Sequence, residues 1–221
     1  MKIGVIIPVH NESRTLAALI SSLKTRSLEV LVVDDGSQDN SREISQTQGA
    51  SVISNNFQMG KGYCLRRGFD FALGQDWEGV ITMDGDGQHD PDDIGNFLSY
   101  VGQEKDSIVI GNRMTDTKAM PLLRIFTNKM MSFFISCFCR RKIPDSQCGY
   151  RYIPSRLLRS LSLISNGYEI ETEILMKASK NRFKIHSIPI KTIYAHEKSK
   201  INPIRDTCRF ISYFLKEIFS K

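Results

Sequence analysis

The run Gly79-Val80-Ile81-Thr82-Met83-Asp84-Gly85-Asp86-Gly87-Gln88-His89-Asp90-Pro91 decides the fold. Its first residues are apolar and β-branched, the signature of a short buried strand. Carboxylate and glycine alternate from Asp84 to Gly87, so the chain turns there and its backbone can approach a ligand closely. Pro91 then opens a helix at its first turn, where the missing N–H costs nothing. A strand that ends on carboxylates and hands over to a helix is one unit of an open α/β sheet. In such sheets ligands bind beyond the carboxyl ends of the strands.

The unit repeats toward the N-terminus. Ile3–Val9 reads as a strand and Ser13–Lys24 as a helix, with Leu16, Leu19, Ile20 and Leu23 at helical spacing. Residues 28–33 form a second strand, closed by the turn Asp34-Asp35-Gly36-Ser37. Asn40 followed by Glu43 predicts a helix cap with its reciprocal acid. Strands at 50–53 and 107–110, with a helix at 61–73, complete an alternation that runs from residue 3 to residue 111. It predicts a parallel sheet covered by helices. The acidic turns after the second and fourth strands should therefore share one cleft.

The remainder is less regular. Residues 122–138 carry Phe, Met and Ile on nearly all faces. The core is the expected place for 126–138, while Arg140, Arg141 and Lys142 draw it toward an interfacial position. A loop and short strand follow at 144–153, a helix at 168–180 and a strand at 183–190. Asn202-Pro203 begins a last helix. Ile204, Cys208, Ile211, Leu215 and Ile218 make its apolar face, and Arg205, Arg209 and Lys216 lie on another. No repeat, low-complexity tract or linker divides the chain. Residues 1–221 are read as one domain: 1–116 as one half, 117–221 as the other, ending in an amphipathic helix.

With 221 residues, 41% hydrophobic and 24% charged, the composition excludes a disordered chain and a disulfide-stapled miniprotein. The longest apolar-rich stretch, 130–139, falls short of the ~18 to 20 residues of a spanning helix. The N-terminus reads as a strand rather than a signal peptide. The five cysteines, an odd number, are then expected as thiols in a cytoplasm. Cys137 and Cys139 are too close for a zinc knuckle. Charge is split: residues 1–116 carry −7 and residues 117–221 carry +13. An acidic half suited to a divalent cation and a basic half suited to an anionic partner suggest two jobs.

Asp84 and Asp86 supply hard oxygen ligands, which suit Mg²⁺ or Mn²⁺ on a phosphate better than zinc. A calcium EF-hand loop counted from Asp84 would need Gly and Glu where His89 and Gly95 stand. A polar turn that merely caps the helix at Pro91 is the plain alternative. The motif has company, however: Ile6-Ile7-Pro8-Val9-His10-Asn11-Glu12, Val33-Asp34-Asp35-Gly36-Ser37 and Gly60-Lys61-Gly62 precede it. Ile110-Gly111-Asn112-Arg113, Asp145-Ser146-Gln147-Cys148-Gly149-Tyr150-Arg151, Tyr168-Glu169-Ile170-Glu171-Thr172-Glu173-Ile174 and Lys198-Ser199-Lys200 follow it. In order and spacing this series resembles the family 2 glycosyltransferases, and more closely the dolichol- or polyprenol-phosphate mannosyl- and glucosyltransferases.

The resemblance implies a GT-A fold, a Rossmann-like and mostly parallel sheet with helices on both faces, plus basic C-terminal helices. It implies a UDP- or GDP-linked sugar donor, with Pro8, His10, Glu12 and Asp35 lining the nucleoside pocket. Lys61, Lys198 and Lys200 would lie near the diphosphate. Asp84, Asp86 and Gln88 would hold the Mg²⁺ or Mn²⁺ ion, and Arg113 and Arg124 would take the acceptor phosphate. An acceptor phosphate oxygen is already ionised and needs positioning more than a base. A saccharide hydroxyl would need one, and Asp145 or Glu171 would then serve. His89 and His10 read as neighbours of the site rather than ligands.

The expected activity is inverting, metal-dependent transfer of a hexose to a polyprenyl phosphate on the cytoplasmic face of a membrane. Membrane contact should be peripheral. Two alternatives remain: transfer to a saccharide hydroxyl in surface-glycan assembly, and an inactive nucleotide-sugar-binding subunit. An Asp-x-Asp phosphatase would place its pair after the first strand, not the fourth. Nucleic acid is not an expected partner, because an acidic cleft repels a phosphate backbone.

Overall fold

The computed structural model describes residues 2–193 and 203–219. A seven-stranded sheet runs in the order β3-β2-β1-β4-β6-β5-β7. Its strands are β1 (Ile3–Val9), β2 (Glu29–Asp34), β3 (Ser51–Ser54), β4 (Gly79–Thr82), β5 (Ile108–Asn112), β6 (Arg151–Pro154) and β7 (Ile185–Pro189). The helices are α1 (Ser13–Lys24), α2 (Ser41–Thr47), α3 (Lys61–Gly74), α4 (Ile94–Gln103), α5 (Leu122–Cys139), α6 (Ser155–Leu158), α7 (Ile170–Lys180) and α8 (Pro203–Phe219). β1 pairs in parallel with β2 and β4, and β2 with β3, as the alternation predicts. The departure is β6, which pairs antiparallel with both β4 and β5. A strand of the basic half thus sits inside the sheet begun by the acidic half.

This insertion settles what meets at the carboxyl edge of the sheet. β1, β2, β4 and β5 end there on His10, Asp34-Asp35, Asp84 and Arg113. β6 runs the other way, so residues 145–151 arrive at the same edge before it starts. β7 is parallel to β5 and delivers residues 190–193 there.

The central strands are buried on both faces, with Val5, Ile6, Ile7, Leu31, Val32, Val33, Val80 and Ile81 inaccessible to solvent. Trp77 is buried under β1, its ring stacked edge-on to Phe71. A Cβ on Gly4 would lie 2.0 Å from that ring. Pro91–Asp93 form a 3₁₀ turn, capped by the Asp90 carboxylate accepting from Asp92 N–H, before α4 begins. The cap expected at Asn40 and Glu43 does not form. Asn40 makes no side-chain cap bond, and Asp39 accepts from Ser41 N–H instead (3.0 Å).

The two C-terminal apolar patterns are only partly buried. α5 lays one side on the core through Met131, Ile135 and Cys139, while Leu122 (84% exposed), Phe126 (65%), Leu123, Phe133 and Phe134 face solvent. It is 18 residues long and apolar enough, by length and composition, to cross a membrane, which the shorter 130–139 reading missed. Asn128 and Ser132, however, face inward. α8 buries Phe210 and Tyr213, while Cys208, Ile211, Leu215 and Ile218 of the apolar face read from sequence meet solvent. Phe214 stacks on Phe210 and meets Phe134 and Phe138 of α5. The aromatic stripe found ring partners and the aliphatic stripe was left outside.

Substituting Gly4→Ala forces a methyl group into a rigid indole. It should cost about 1–3 kcal/mol of stability, the usual range for overpacking. A urea midpoint at the wild-type value would show that Trp77 is free to move.

Candidate active site

Asp84 leaves β4 into a loop that is closed on itself. Asp84 N–H donates to His89 Nδ1 (3.2 Å) and Gln88 N–H donates to Asp86 Oδ1 (3.0 Å). Gly87 adopts φ 74°, which a glycine reaches without strain. His89 is buried, its ring 5.2 Å from that of Tyr150, which in turn stacks on Phe97 at 4.4 Å. Burial lowers the His89 pKa against the pull of Asp84 and Asp86. Its neutral ring accepts at Nδ1, so it is a buttress of the loop.

Lys61, at the start of α3, bridges two carboxylates. Its Nζ is 2.5 Å from Asp84 Oδ1 and 2.9 Å from Glu171 Oε1, above the Tyr168 ring. Burial pulls the ammonium pKa down, but Asp84 and Glu171 outweigh it and hold the pKa above its usual value. Glu171 Oε2 continues the row to Arg151 Nη2 (2.8 Å). Arg151 is fully buried and also donates to the carbonyls of Ser146, Cys148 and Glu171. The row Asp84–Lys61–Glu171–Arg151 therefore alternates in sign. Asp86 lies beside it, its pKa raised by burial and by the charge of Asp84.

Among the described residues no three His, Cys, Asp or Glu side chains form a metal-ligand cluster. Two carboxylates suffice for Mg²⁺ or Mn²⁺ when a substrate diphosphate supplies other ligands. The mutual repulsion of Asp84 and Asp86 fits a cation between them. Gln88 offers its side-chain oxygen to Arg124 Nη1 (3.4 Å), not to the aspartates.

At the β1 and β2 ends, His10 Nδ1 donates to the Asp35 carbonyl (2.8 Å). A carbonyl only accepts, which fixes the tautomer. Asn11 Nδ2 then donates to His10 Nε2 (3.2 Å). Glu12 is buried, and its N–H donates to Ser41 Oγ. The Asp35 carboxylate accepts from Asn55 Nδ2, Met59 N–H and Gly60 N–H at 2.7–2.8 Å. It holds the 55–60 loop at the end of β2, and three of its acceptor positions are taken. Pro8 lies within β1 at the same edge.

Asp145 is inaccessible to solvent. Its Oδ2 accepts from Arg113 N–H (3.1 Å) and Nε (2.7 Å), and its Oδ1 from Arg113 Nη2 (2.9 Å) and Asn128 Nδ2 (2.7 Å). Burial alone would raise its pKa, but the Arg113 guanidinium outweighs burial and holds it down at about 2. The geometry therefore counts against both bases considered from sequence. A general base works best with a pKa near the operating pH. Asp145 is the counter-ion of Arg113, and Glu171 is engaged by two cations.

The structure brings Pro8, His10, Glu12, Asp35, Lys61, Asp84, Asp86, Gln88, Arg113, Arg124, Asp145 and Glu171 to one edge of the sheet. Lys198 and Lys200 lie outside the described residues. The segment leading to them is tied to the metal loop, where Ile193 N–H donates to the Gln88 carbonyl (2.9 Å) and Thr192 bridges His89. Beside that segment a hollow of about 590 Å³ opens between Asp90, Asp93, Asp116 and Lys191. A similar hollow of about 560 Å³, around Trp77 and Arg156, lies at the opposite edge, away from the aspartates. Sequence reading missed Asn128 and the role of Arg151. Asn128, Ser132 and Ser136, spaced four apart in an apolar helix, were the available signal for the first.

The model of glycosyl transferase family 2 matches residues 4–161, which contain every strand except β7. The chain belongs to this family. It is a glycosyltransferase with a GT-A-like fold, resembling the polyprenyl-phosphate sugar transferases. It is 30% identical to the UDP-N-acetylglucosamine–dolichyl-phosphate N-acetylglucosaminyltransferase of Methanococcus voltae, over 87% of this chain and 86% of that one. It is 26% identical to the polyprenol monophosphomannose synthase of Mycolicibacterium smegmatis, over 84% and 75%. Among solved structures, glucosyl-3-phosphoglycerate synthase from Mycobacterium tuberculosis, with Mn²⁺, UDP-glucose and phosphoglyceric acid, superposes with a TM-score of 0.75. That match is 19% identical and covers 98% of this chain and 79% of the other. At that identity the likeness speaks to the family 2 fold.

The depressed Asp145 pKa makes a signed prediction. Its ionised form is favoured in the folded state, so the pair contributes stability above the ordinary 3.8 and loses it as pH falls toward about 2. Asp145→Asn should cost about 3–5 kcal/mol at neutral pH by stranding Arg113. The gap to wild type should narrow on acidification through that window. Parallel stability curves across it would refute the assignment.

Proposed function

We propose that this transferase moves a hexose from a UDP- or GDP-linked sugar to a polyprenyl phosphate, with inversion. The observation that carries the reading is the first turn of α5. There Arg124 reaches Gln88 of the metal loop, while Leu122, Leu123 and Phe126 point to solvent. An anion-binding side chain and three exposed apolar ones within one turn suit an acceptor that is itself anionic at one end and apolar beyond. The named activities of the Methanococcus and Mycolicibacterium relatives agree with it.

Asp84 and Asp86 would hold a Mg²⁺ or Mn²⁺ ion, which when bound neutralises the leaving nucleoside diphosphate. Pro8, His10, Glu12 and Asp35 frame the nucleoside end, Asp35 by fixing the 55–60 loop at the end of β2. Lys61 keeps the Asp84 carboxylate oriented, and Lys198 and Lys200 complete the diphosphate side. Arg113 and Arg124 place the acceptor phosphate. One of its ionised oxygens attacks the anomeric carbon from the face opposite the diphosphate. The new C–O bond forms as the bond to the diphosphate oxygen breaks, and no proton must be removed. Transfer to a saccharide hydroxyl would require a base, and Asp145 and Glu171 are both held by cations.

The exposed faces of α5 and α8, joined through Phe134 and Phe214 and flanked by Arg140, Arg141, Lys142 and Lys216, support a peripheral seat on an anionic membrane. The lipid acceptor places that seat on the cytoplasmic face, where nucleotide-sugars are available. Residues 1–221 act in this reading as one domain, whose halves share the sheet.

Two measurements test the proposal. Asp86→Ala should abolish Mn²⁺-dependent calorimetric binding of UDP or GDP, and transfer with it. Its urea midpoint should stay within about 0.5 kcal/mol of wild type, as for a loop site outside the core. Metal-dependent binding that survives the substitution overturns the metal assignment. A Leu123→Ser/Phe126→Ser double variant should raise KM for a long-chain polyprenyl phosphate about tenfold, from lost apolar contact. Its KM for a water-soluble short-chain isoprenyl phosphate should stay near wild type. Equal losses with both acceptors would count against a lipid-facing first turn.

A further inference from the structure

α5 turns polar side chains inward beside the apolar Met131 and Ile135. Asn128 and Ser132 are buried, and Ser136 follows on the same stripe, half-buried. A buried amide costs free energy unless it is hydrogen-bonded, and each of these groups has a partner. Ser136 Oγ accepts from Ile143 N–H (3.0 Å), a bond that serves only the local fold. Ser132 Oγ donates to Asn128 Oδ1 (3.0 Å) and accepts from Ser146 N–H (2.9 Å). Asn128 Nδ2 then donates 2.7 Å to Asp145 Oδ1, the oxygen that also accepts from Arg113 Nη2.

We infer that Asn128 is a positioning residue, which sets the angle at which Arg113 meets the acceptor phosphate. The inference rests on the proposed role of Arg113 and extends it. In a bidentate pair the guanidinium plane follows the carboxylate plane. Apart from Arg113, the Asp145 carboxylate is held by Asn128 and by a longer bond from Gln147 N–H (3.3 Å). Removing the amide frees the carboxylate to rotate, and Arg113 rotates with it. Asn128 lies one helical turn from Arg124 and on the same rigid helix as the exposed Leu123 and Phe126. The surface proposed to meet the lipid is therefore tied by one amide to the arginine proposed to read its phosphate.

The test uses the full-length protein and a water-soluble short-chain isoprenyl phosphate, so that membrane docking does not enter. Asn128→Leu, close in volume, should raise the acceptor KM about tenfold, as for a lost hydrogen bond to a charged group. Calorimetric Kd for UDP or GDP with Mn²⁺ should not change. Ser136→Ala, on the same stripe but away from Asp145, should lower the urea midpoint and leave the acceptor KM alone. Should Asn128→Leu fail to fold, Ser132→Ala removes the hydroxyl that orients the amide, together with its bond from Ser146 N–H, and about a threefold rise in acceptor KM is expected. Equal loss of donor and acceptor affinity in the Asn128 variant would overturn the inference, as would a Ser136→Ala effect on acceptor KM of the same size. A wild-type protein that binds nucleotide with metal but transfers to no isoprenyl phosphate overturns the acceptor reading, and this inference with it.

Discussion

The row of alternating charge Asp84–Lys61–Glu171–Arg151 is the interaction on which the rest of the site depends. Parallel strands collect their acidic turns at one edge, and those carboxylates repel each other as they are buried. Such an edge persists only if cations are buried with it. Lys61 supplies one from the start of α3, and Arg151 supplies the other from β6. A buried pair contributes little net stability, yet removing one member leaves a stranded charge that costs about 3–5 kcal/mol. The row therefore acts as a specification: it fixes which elements meet and holds Asp84 in one orientation.

That requirement gives the charge asymmetry a physical meaning. The acidic half (−7) and the basic half (+13) looked like two tasks laid side by side. The halves instead interlock, because two cations of the acidic half, Lys61 and Arg113, are met by two carboxylates of the basic half, Glu171 and Asp145. β6 enters between β4 and β5 and brings Arg151 to Glu171. Arg113, at the end of β5, in turn receives Asp145 from the segment preceding β6. Among the described residues, Arg140, Arg141, Lys142 and Lys216 are exposed beside the outward faces of α5 and α8, where an anionic lipid surface would complement them.

The sequence disclosed features carried by local pattern and hid those carried by long-range partners. Strands and helices up to residue 111 follow from hydrophobic period, and the acidic turns follow from where the strands end. The insertion of β6 did not follow, because four residues of strand carry no sign of which neighbours they will pair with. Asp145 and Glu171 were visible as acids near the site. Their partners, Arg113 and Arg151, are 32 and 20 residues away, and only those partners exclude a role as base. α8 contained two helical stripes, and the sequence alone favoured the aliphatic one. Phe210 and Tyr213 were buried instead, and Phe214 between them and α5 met the rings of Phe134 and Phe138. The cap at Asn40 gave way to Asp39, whose carboxylate takes the N–H of Ser41, the first residue of the helix.

The pairing that removes Asp145 as a base also limits what Arg113 can contribute. A guanidinium joined to its own buried carboxylate carries little net charge toward a third group. Its value to an anion lies in direction: the N–H bonds not used by Asp145 sit at a fixed angle set by the carboxylate plane. Attraction must then come from charges without so close a counter-ion. Arg124 is one, since its partner Gln88 is neutral, and in the proposed reading a metal at Asp84 and Asp86 would be the other. The site thus separates two tasks that a single exposed arginine would combine. On the proposed function, Arg124 and the metal would draw the acceptor phosphate in, and Arg113 would aim it. An oxygen that is already ionised needs aim more than activation, and a phosphate is the acceptor for which such a division is sufficient.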